Sequence, residues 1–222
     1  MALFIPGIVT PKRRRAALQA ALRVARKDRV RKLTVAHVFD TLDPATLVGG
    51  TLSANLLTFT SNGTANAGAL SKTNKTSGKW YFEVTIVQMN GGSVGGVGAM
   101  DKDAALSTAV SGLGTHGACG FFSNGPIYVN GSSPGNATMN GNHRTPATGD
   151  TIGVGIDADN KTITFRNWTS GGDQSGVITM VSESNYCAAI FMDNNATHLI
   201  ATMNFGASAF VGTKFSGYDA WG

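Results

Sequence analysis

Residues 77–86 read Ser-Gly-Lys-Trp-Tyr-Phe-Glu-Val-Thr-Ile, and no other stretch constrains the fold as strongly. In an extended chain successive side chains point to opposite faces. Trp80, Phe82, Val84 and Ile86 therefore share one face, and Tyr81, Glu83 and Thr85 share the other. Seven residues of alternation behind a Gly turn predict a half-buried strand of an all-β domain. Short apolar segments follow the same style at 35–39, 56–59, 94–100, 119–122, 127–129, 151–156, 162–165, 186–192 and 199–205, with Gly, Asn, Ser, Thr and Asp clusters between them. Many short strands with frequent turn signals predict a β-sandwich. Residues 157–161, Asp-Ala-Asp-Asn-Lys, lie between two such segments and predict a hairpin. The expected core comprises Trp80, Phe82, Val84, Ile86, Val154, Ile156, Phe165 and Phe205.

Charged residues make up 14% of the 222, below the usual quarter, and there are 29 glycines. That balance fits a β-protein with tight turns and argues against a helical enzyme. Charge is also split along the chain. Residues 1–40 hold ten Lys and Arg against Asp28 and Asp40, a net +8, whereas the rest carries −3. Thr10 followed by Pro11 is a good helix start, and no Gly interrupts residues 11–32. Ala17, Leu18, Ala21, Leu22, Val24 and Ala25 form a narrow stripe on this predicted helix. Lys12, Arg13, Arg14 and Arg15 sit at the positive end of its dipole, which is unfavourable without an anionic partner. Residues 1–34 are accordingly read as a basic, largely helical anchoring arm, with Lys12, Arg13, Arg14, Arg15, Leu18 and Leu22 making the attachment, and residues 35–222 as the sandwich. A basic arm on a slightly acidic domain suits a neighbouring protein or, through the arm alone, nucleic acid or an anionic membrane.

Cys119 and Cys187 each lie among apolar residues and are expected to be buried free thiols. No apolar run reaches the length of a membrane span, and the short apolar start precedes the basic cluster, the reverse of a secretory signal. Synthesis in a cytoplasm is the expectation.

With the strands placed, the chain resembles the SPRY family, a concanavalin-A-like antiparallel sandwich. The resemblance is carried by residues 77–86, Gly95-Gly-Val-Gly98, Gly120-Phe-Phe-Ser-Asn-Gly125, Gly149-Asp-Thr-Ile-Gly-Val-Gly-Ile-Asp157, Thr162-Ile-Thr-Phe-Arg-Asn167 and Ala201-Thr-Met-Asn-Phe-Gly206, in the family's order. One departure is Arg166-Asn-Trp-Thr-Ser-Gly-Gly172, longer than the family's usual turn. Phe39-Asp-Thr-Leu-Asp-Pro44, Leu52-Ser-Ala-Asn55 and Ser61-Asn-Gly63 are closest to the SPRY-like modules of bacteriophage virion proteins. The resemblance implies a module that binds and does not catalyse. It implies a virion structural protein of tail-fibre or head-decoration type, oligomeric in the particle, attached by its arm to other virion proteins. The sandwich loops would then meet a host-surface glycan or protein. An intracellular peptide-binding adaptor and a carbohydrate-binding module are the alternatives.

Signals for chemistry are weak. Gly91-Gly-Ser-Val-Gly95 fits the nucleophile-elbow pattern, but the elbow needs a helix after Ser93 and a strand-like Gly96-Val-Gly-Ala follows. His37, His116, His143 and His198 lack metal spacing. Asp101-Lys-Asp103 and Asp157-Ala-Asp159 lack the Gly and distal Glu of a calcium loop and read as turns. No metal or cofactor is expected. Seven Asn-x-Ser/Thr sequences fall in turns and, without a secretory signal, imply no glycans. Tyr128 and Trp168, beside loops, are candidates for stacking on a sugar ring or a partner side chain.

Overall fold

A computed structural model of the chain describes residues 38–63, 66–90, 95–103, 119–122, 127–129, 146–169, 174–180, 185–192 and 198–222, together with Arg15, Gln19 and Leu106. For Cys119, Phe121 and Phe122 it describes the backbone alone. The chain divides into two units, Met1–Val38 and Phe39–Gly222. Of the predicted arm, Arg15 and Gln19 are described, both exposed; Lys12, Arg13, Arg14, Leu18 and Leu22 lie outside the described residues. Apart from those two residues, the predicted helical span lies outside the described residues.

The second unit is built from strands β1 (Gly50–Leu52), β2 (Thr58–Ser61), β3 (Ala67–Lys75), β4 (Lys79–Met89), β5 (Gly95–Asp101), β6 (Cys119–Phe122), β7 (Ile127–Val129), β8 (Thr151–Asp157), β9 (Thr162–Asn167), β10 (Ile178–Thr179), β11 (Tyr186–Met192), β12 (Leu199–Asn204) and β13 (Asp219–Ala220). They form two sheets, in the orders β1-β2-β12-β4-β8-β9-β10 and β3-β11-β5-β6-β7. The described strand pairs are antiparallel except that between β13 and β4, which is parallel. β4 begins four residues before its pairing with β12 starts at Glu83, and β13 takes the open edge at Trp80 and Tyr81.

The inner faces meet in one core. Phe82, Val84, Ile152, Val154, Ile156, Phe165, Met203 and Phe205 from the larger sheet are buried with Ala69, Val97, Ala188 and Ile190 from the smaller. Trp221 closes one end of it, fully buried, with its ring edge-on to Phe82 at 5.4 Å between centroids. Every expected core residue lies in or against this cluster; Trp80 is half-buried at its margin.

Three expectations are corrected. β4 is not half-buried along its first half, because Tyr81 and Glu83 on its outer face are buried as completely as Phe82. The segment after Gly206 folds back over that face. β3 has no counterpart among the predicted segments: Ala67-Gly-Ala-Leu-Ser lacks β-branched residues, yet all five are buried beside β11 and under the bridges Leu42–Ser71 and Val48–Gly68. Where residues 35–39 are described, they form no strand, and Val38 is 87% exposed.

Candidate functional site

The two ends of the sandwich differ. At one end Asp40 is buried, and its carboxylate accepts hydrogen bonds from Trp221 Nε1 at 2.8 Å, Thr73 Oγ1 at 2.7 Å, Thr73 N and Thr41 N. Trp221 N donates to the Tyr81 carbonyl and Gly222 N to that of Phe205. Lys75 Nζ lies 3.9 Å from the Trp80 ring centroid and 5.4 Å from that of Trp221. Burial lowers the Lys75 pKa, against the opposing pull of Asp40. Residues 39–40 and 221–222 are thus locked side by side at this end. The 76–78 turn and the 157–161 hairpin lie here too.

At the opposite end, the β2–β3, β4–β5, β6–β7 and β11–β12 connections both leave and return, β8 begins and β9 ends. Their sequences, 62–66, 90–94, 123–126 and 193–198, contain Asn, Gly, Ser, Thr and one Asp, and no Lys or Arg. The turn at 147–150 is fixed by Asp150, whose Oδ2 accepts from Ala147 N and Asn167 Nδ2 at 2.9 Å each. A crevice lined by Ile86, Met89, Gly95, Val97, Pro146 and Leu199 opens at this end.

A third feature lies on the outer face of the larger sheet. Gly153 and Gly155 alternate with Ile152, Val154 and Ile156 along β8, so the core side is apolar and the outer side bare. Aromatic rings settle on the bare backbone: a Cβ at Gly153 would lie 2.4 Å from Tyr81 Oη and Trp168 Nε1, and one at Gly155 2.4 Å from Phe215. Tyr81 meets Phe210 and Phe215 edge-on at 5.0 and 5.4 Å. Trp168 Nε1 donates to Tyr81 Oη (2.7 Å), which donates to Glu83 Oε1 (2.8 Å). The Glu83 carboxylate also accepts from Val211 N and Gly212 N at 2.7 and 2.8 Å. Burial, the Glu83 charge and that bond raise the Tyr81 pKa, so the phenol stays protonated. The Arg166 guanidinium lies over the Trp168 ring, 4.1 Å from its centroid.

Tyr128 and Trp168 are not brought together. Trp168 is half-buried in this outer cluster, one ring face taken up by Gly212, where a Cβ would lie 2.0 Å from the indole. Tyr128 belongs to β7 of the other sheet and packs against the outer cluster of Leu70, Met100, Leu106, Cys187, Ala189 and Phe191. Ser93, His37, His116 and His143 lie outside the described residues, and His198 is exposed. Cys187 is a free, buried thiol whose pKa burial pushes up to about 11. Among the described residues no three His, Cys, Asp or Glu side chains gather as a metal site would require. Nor is any helix among them long and apolar enough to cross a membrane. Asp157 is a turn residue: it accepts from Asn160 N and Nδ2 and pairs with Lys79 Nζ at 3.0 Å. Burial works to raise its pKa, but these bonds outweigh it and hold the carboxyl below its ordinary value. Sequence reasoning missed Glu83 and Tyr81 as a polar pair; the Gly-Val-Gly alternation of β8 was the available signal that something packs closely there.

The model of the SPRY domain family matches residues 79–207. Among solved structures, the SPRY domain of human HERC1 superposes with a TM-score of 0.59 at 16% identity, covering 76% of this chain and 99% of that domain. Stonustoxin superposes with a TM-score of 0.50 at 17% identity, covering 75% of this chain and 27% of its own. No curated protein matches the chain by sequence.

Proposed function

Because the chain belongs to the SPRY domain family, we propose that it is a non-catalytic binding module, carried on a bacteriophage particle by its basic arm and presenting the far end of its sandwich to a protein partner. SPRY domains are generally protein-interaction modules without catalytic activity. The observation that carries the orientation is the lock between residues 39–40 and 221–222. An attachment through residues preceding Phe39 approaches from that end and leaves the other, with its crowd of polar connections, free. The particle assignment is supported by the phage-like residues 39–44, 52–55 and 61–63 and by the +8 of residues 1–40 against −3 in the remainder. A self-repelling basic segment gains most from a partner that neutralises Lys12, Arg13, Arg14 and Arg15.

The family match suits a peptide-binding adaptor outside any particle equally well, and one experiment separates the two. On the particle reading, a phage carrying the full-length gene is compared with one in which residues 1–33 are deleted, and purified particles and soluble fractions are assayed for the protein. The expected result is full-length protein in particles and truncated protein folded but soluble. Full-length protein missing from particles would favour the adaptor; truncated protein that still assembles would move the attachment to the sandwich.

A further inference from the structure

We infer that Arg166, held on Trp168, is the centre of a second binding surface on the outer face of the larger sheet, shaped for the carboxylate of an acidic side chain on a partner protein. This surface is separate from the end of the sandwich proposed above. Three observations converge on it. First, the guanidinium is fixed: it lies 4.1 Å from the Trp168 ring centroid, and Trp168 is itself tied to Tyr81 Oη at 2.7 Å. A planar cation stacked on an anchored indole has little freedom left to lose on binding. Second, the protein leaves it under-satisfied. Arg166 Nε is buried without an acceptor, and no Asp or Glu pairs with Arg166 among the described residues, whereas Asp157 holds Lys79 and Asp103 holds Lys102. Glu83 lies in the same row, two strands away through Gly153, but its oxygens are already engaged by Tyr81, Val211 and Gly212. Third, the flanking segments carry the two exposed valines Val211 (65%) and Val177 (73%). Val211 precedes the glycine that covers Trp168, and Val177 follows the strand bridge between Arg166 and Gln174.

A stacked Arg and Trp, with exposed valines on the neighbouring segments, has the residue types of an interface anchor. Charge decides the partner. With approach through Nε closed, a carboxylate meets the two terminal nitrogens end-on, a geometry that a neutral amide cannot match. The occupant is therefore a protein segment presenting Glu or Asp beside an apolar residue.

The test follows the indole N–H of Trp168 and the Nε–H of Arg166 by NMR in the full-length protein. Two blocked peptides are titrated, Ac-Val-Glu-Val-NH2 and Ac-Val-Gln-Val-NH2. The Glu peptide is expected to shift both resonances and the Gln peptide to bind about tenfold or more weakly. Arg166→Gln should abolish the difference while the spectrum stays dispersed. Arg166→Lys, which retains the charge and loses the planar fork, should reduce it, and serves if the Gln variant does not fold. Equal response to both peptides, or to neither, overturns the proposal. So does internal pairing: Asp173 neighbours Gln174, and if Asp173→Asn lowers the melting temperature as much as Arg166→Gln, with no further loss in the double variant, the guanidinium is already spoken for.

Discussion

Glu83 shows how one buried side chain holds a distant segment in place. It is 1% exposed, and its carboxylate gathers the Tyr81 hydroxyl and the backbone N–H groups of Val211 and Gly212. Glu83→Ala strands those donors and is expected to cost about 1.5–3 kcal/mol in denaturant unfolding. On the opposite face of the same strand Phe82 is fully buried between Phe205 and Trp221, at 6.0 and 5.4 Å. Phe82→Ala is expected to cost about 3–5 kcal/mol, and a loss below about 1 kcal/mol would contradict its place in the core. Cys187, with its thiol pKa pushed up to about 11, should resist alkylation at neutral pH in the folded protein and react once unfolded, measured in a Cys119→Ser background. The inward set of β4 was legible in the sequence because alternation reports a face. The burial of Tyr81 and Glu83 was not, because a polar outer face looks the same whether water or a later segment covers it.

Among the elements, β8 and the hairpin it opens show what local pattern can and cannot convey. Its alternation of Ile and Val with Gly marked a strand correctly, but the close approach over its glycines went unread, because bare backbone does not name what packs on it. Gly153→Ala places a Cβ within 2.4 Å of Tyr81 Oη and Trp168 Nε1, and overpacking of this kind costs about 1–3 kcal/mol. Gly149→Ala has open space around its Cβ but a φ of +93°, so its penalty is conformational alone. β3 escaped sequence reading for the converse reason: Ala, Gly and Ser have little strand preference, and only the walls around them make the segment extended. At the end of β8, Asp157 gives a pH signature. Its folded carboxyl lies below the ordinary 3.8, so its contribution to stability is complete above about pH 3.8 and drains away as pH falls through the lower folded value. Asp157→Asn should flatten the acid limb of the melting-temperature profile below that pH; an unchanged slope would show that the Asn160 and Lys79 contacts contribute nothing. Lys79 has the opposite sign, its raised pKa giving a contribution complete below 10.5 and lost as pH rises through the folded value.

For the whole molecule, the far reach of the last residues matters most. Residues 207–222 cover Tyr81 and Glu83, supply β13 and place Trp221 in the core. Deleting them should abolish cooperative thermal unfolding, whereas deleting residues 1–33 should leave the transition of the sandwich in place. The family was legible from six short motifs in order, since turn glycines and strand alternation survive without the rest. Trp168 was a candidate in the sequence, but its stacking with Arg166 in the proposed outer surface was not legible, because the residues that pack on the indole lie more than forty positions away, at 211–215. Single cysteines at Asn62 and Asp159, each exposed and at opposite ends of the sandwich, test the orientation most directly. Intact particles carrying either variant are treated with maleimide-biotin and probed with avidin. Attachment by the arm predicts that Asn62→Cys is labelled and Asp159→Cys is shielded; labelling of Asp159→Cys with protection of Asn62→Cys would contradict it.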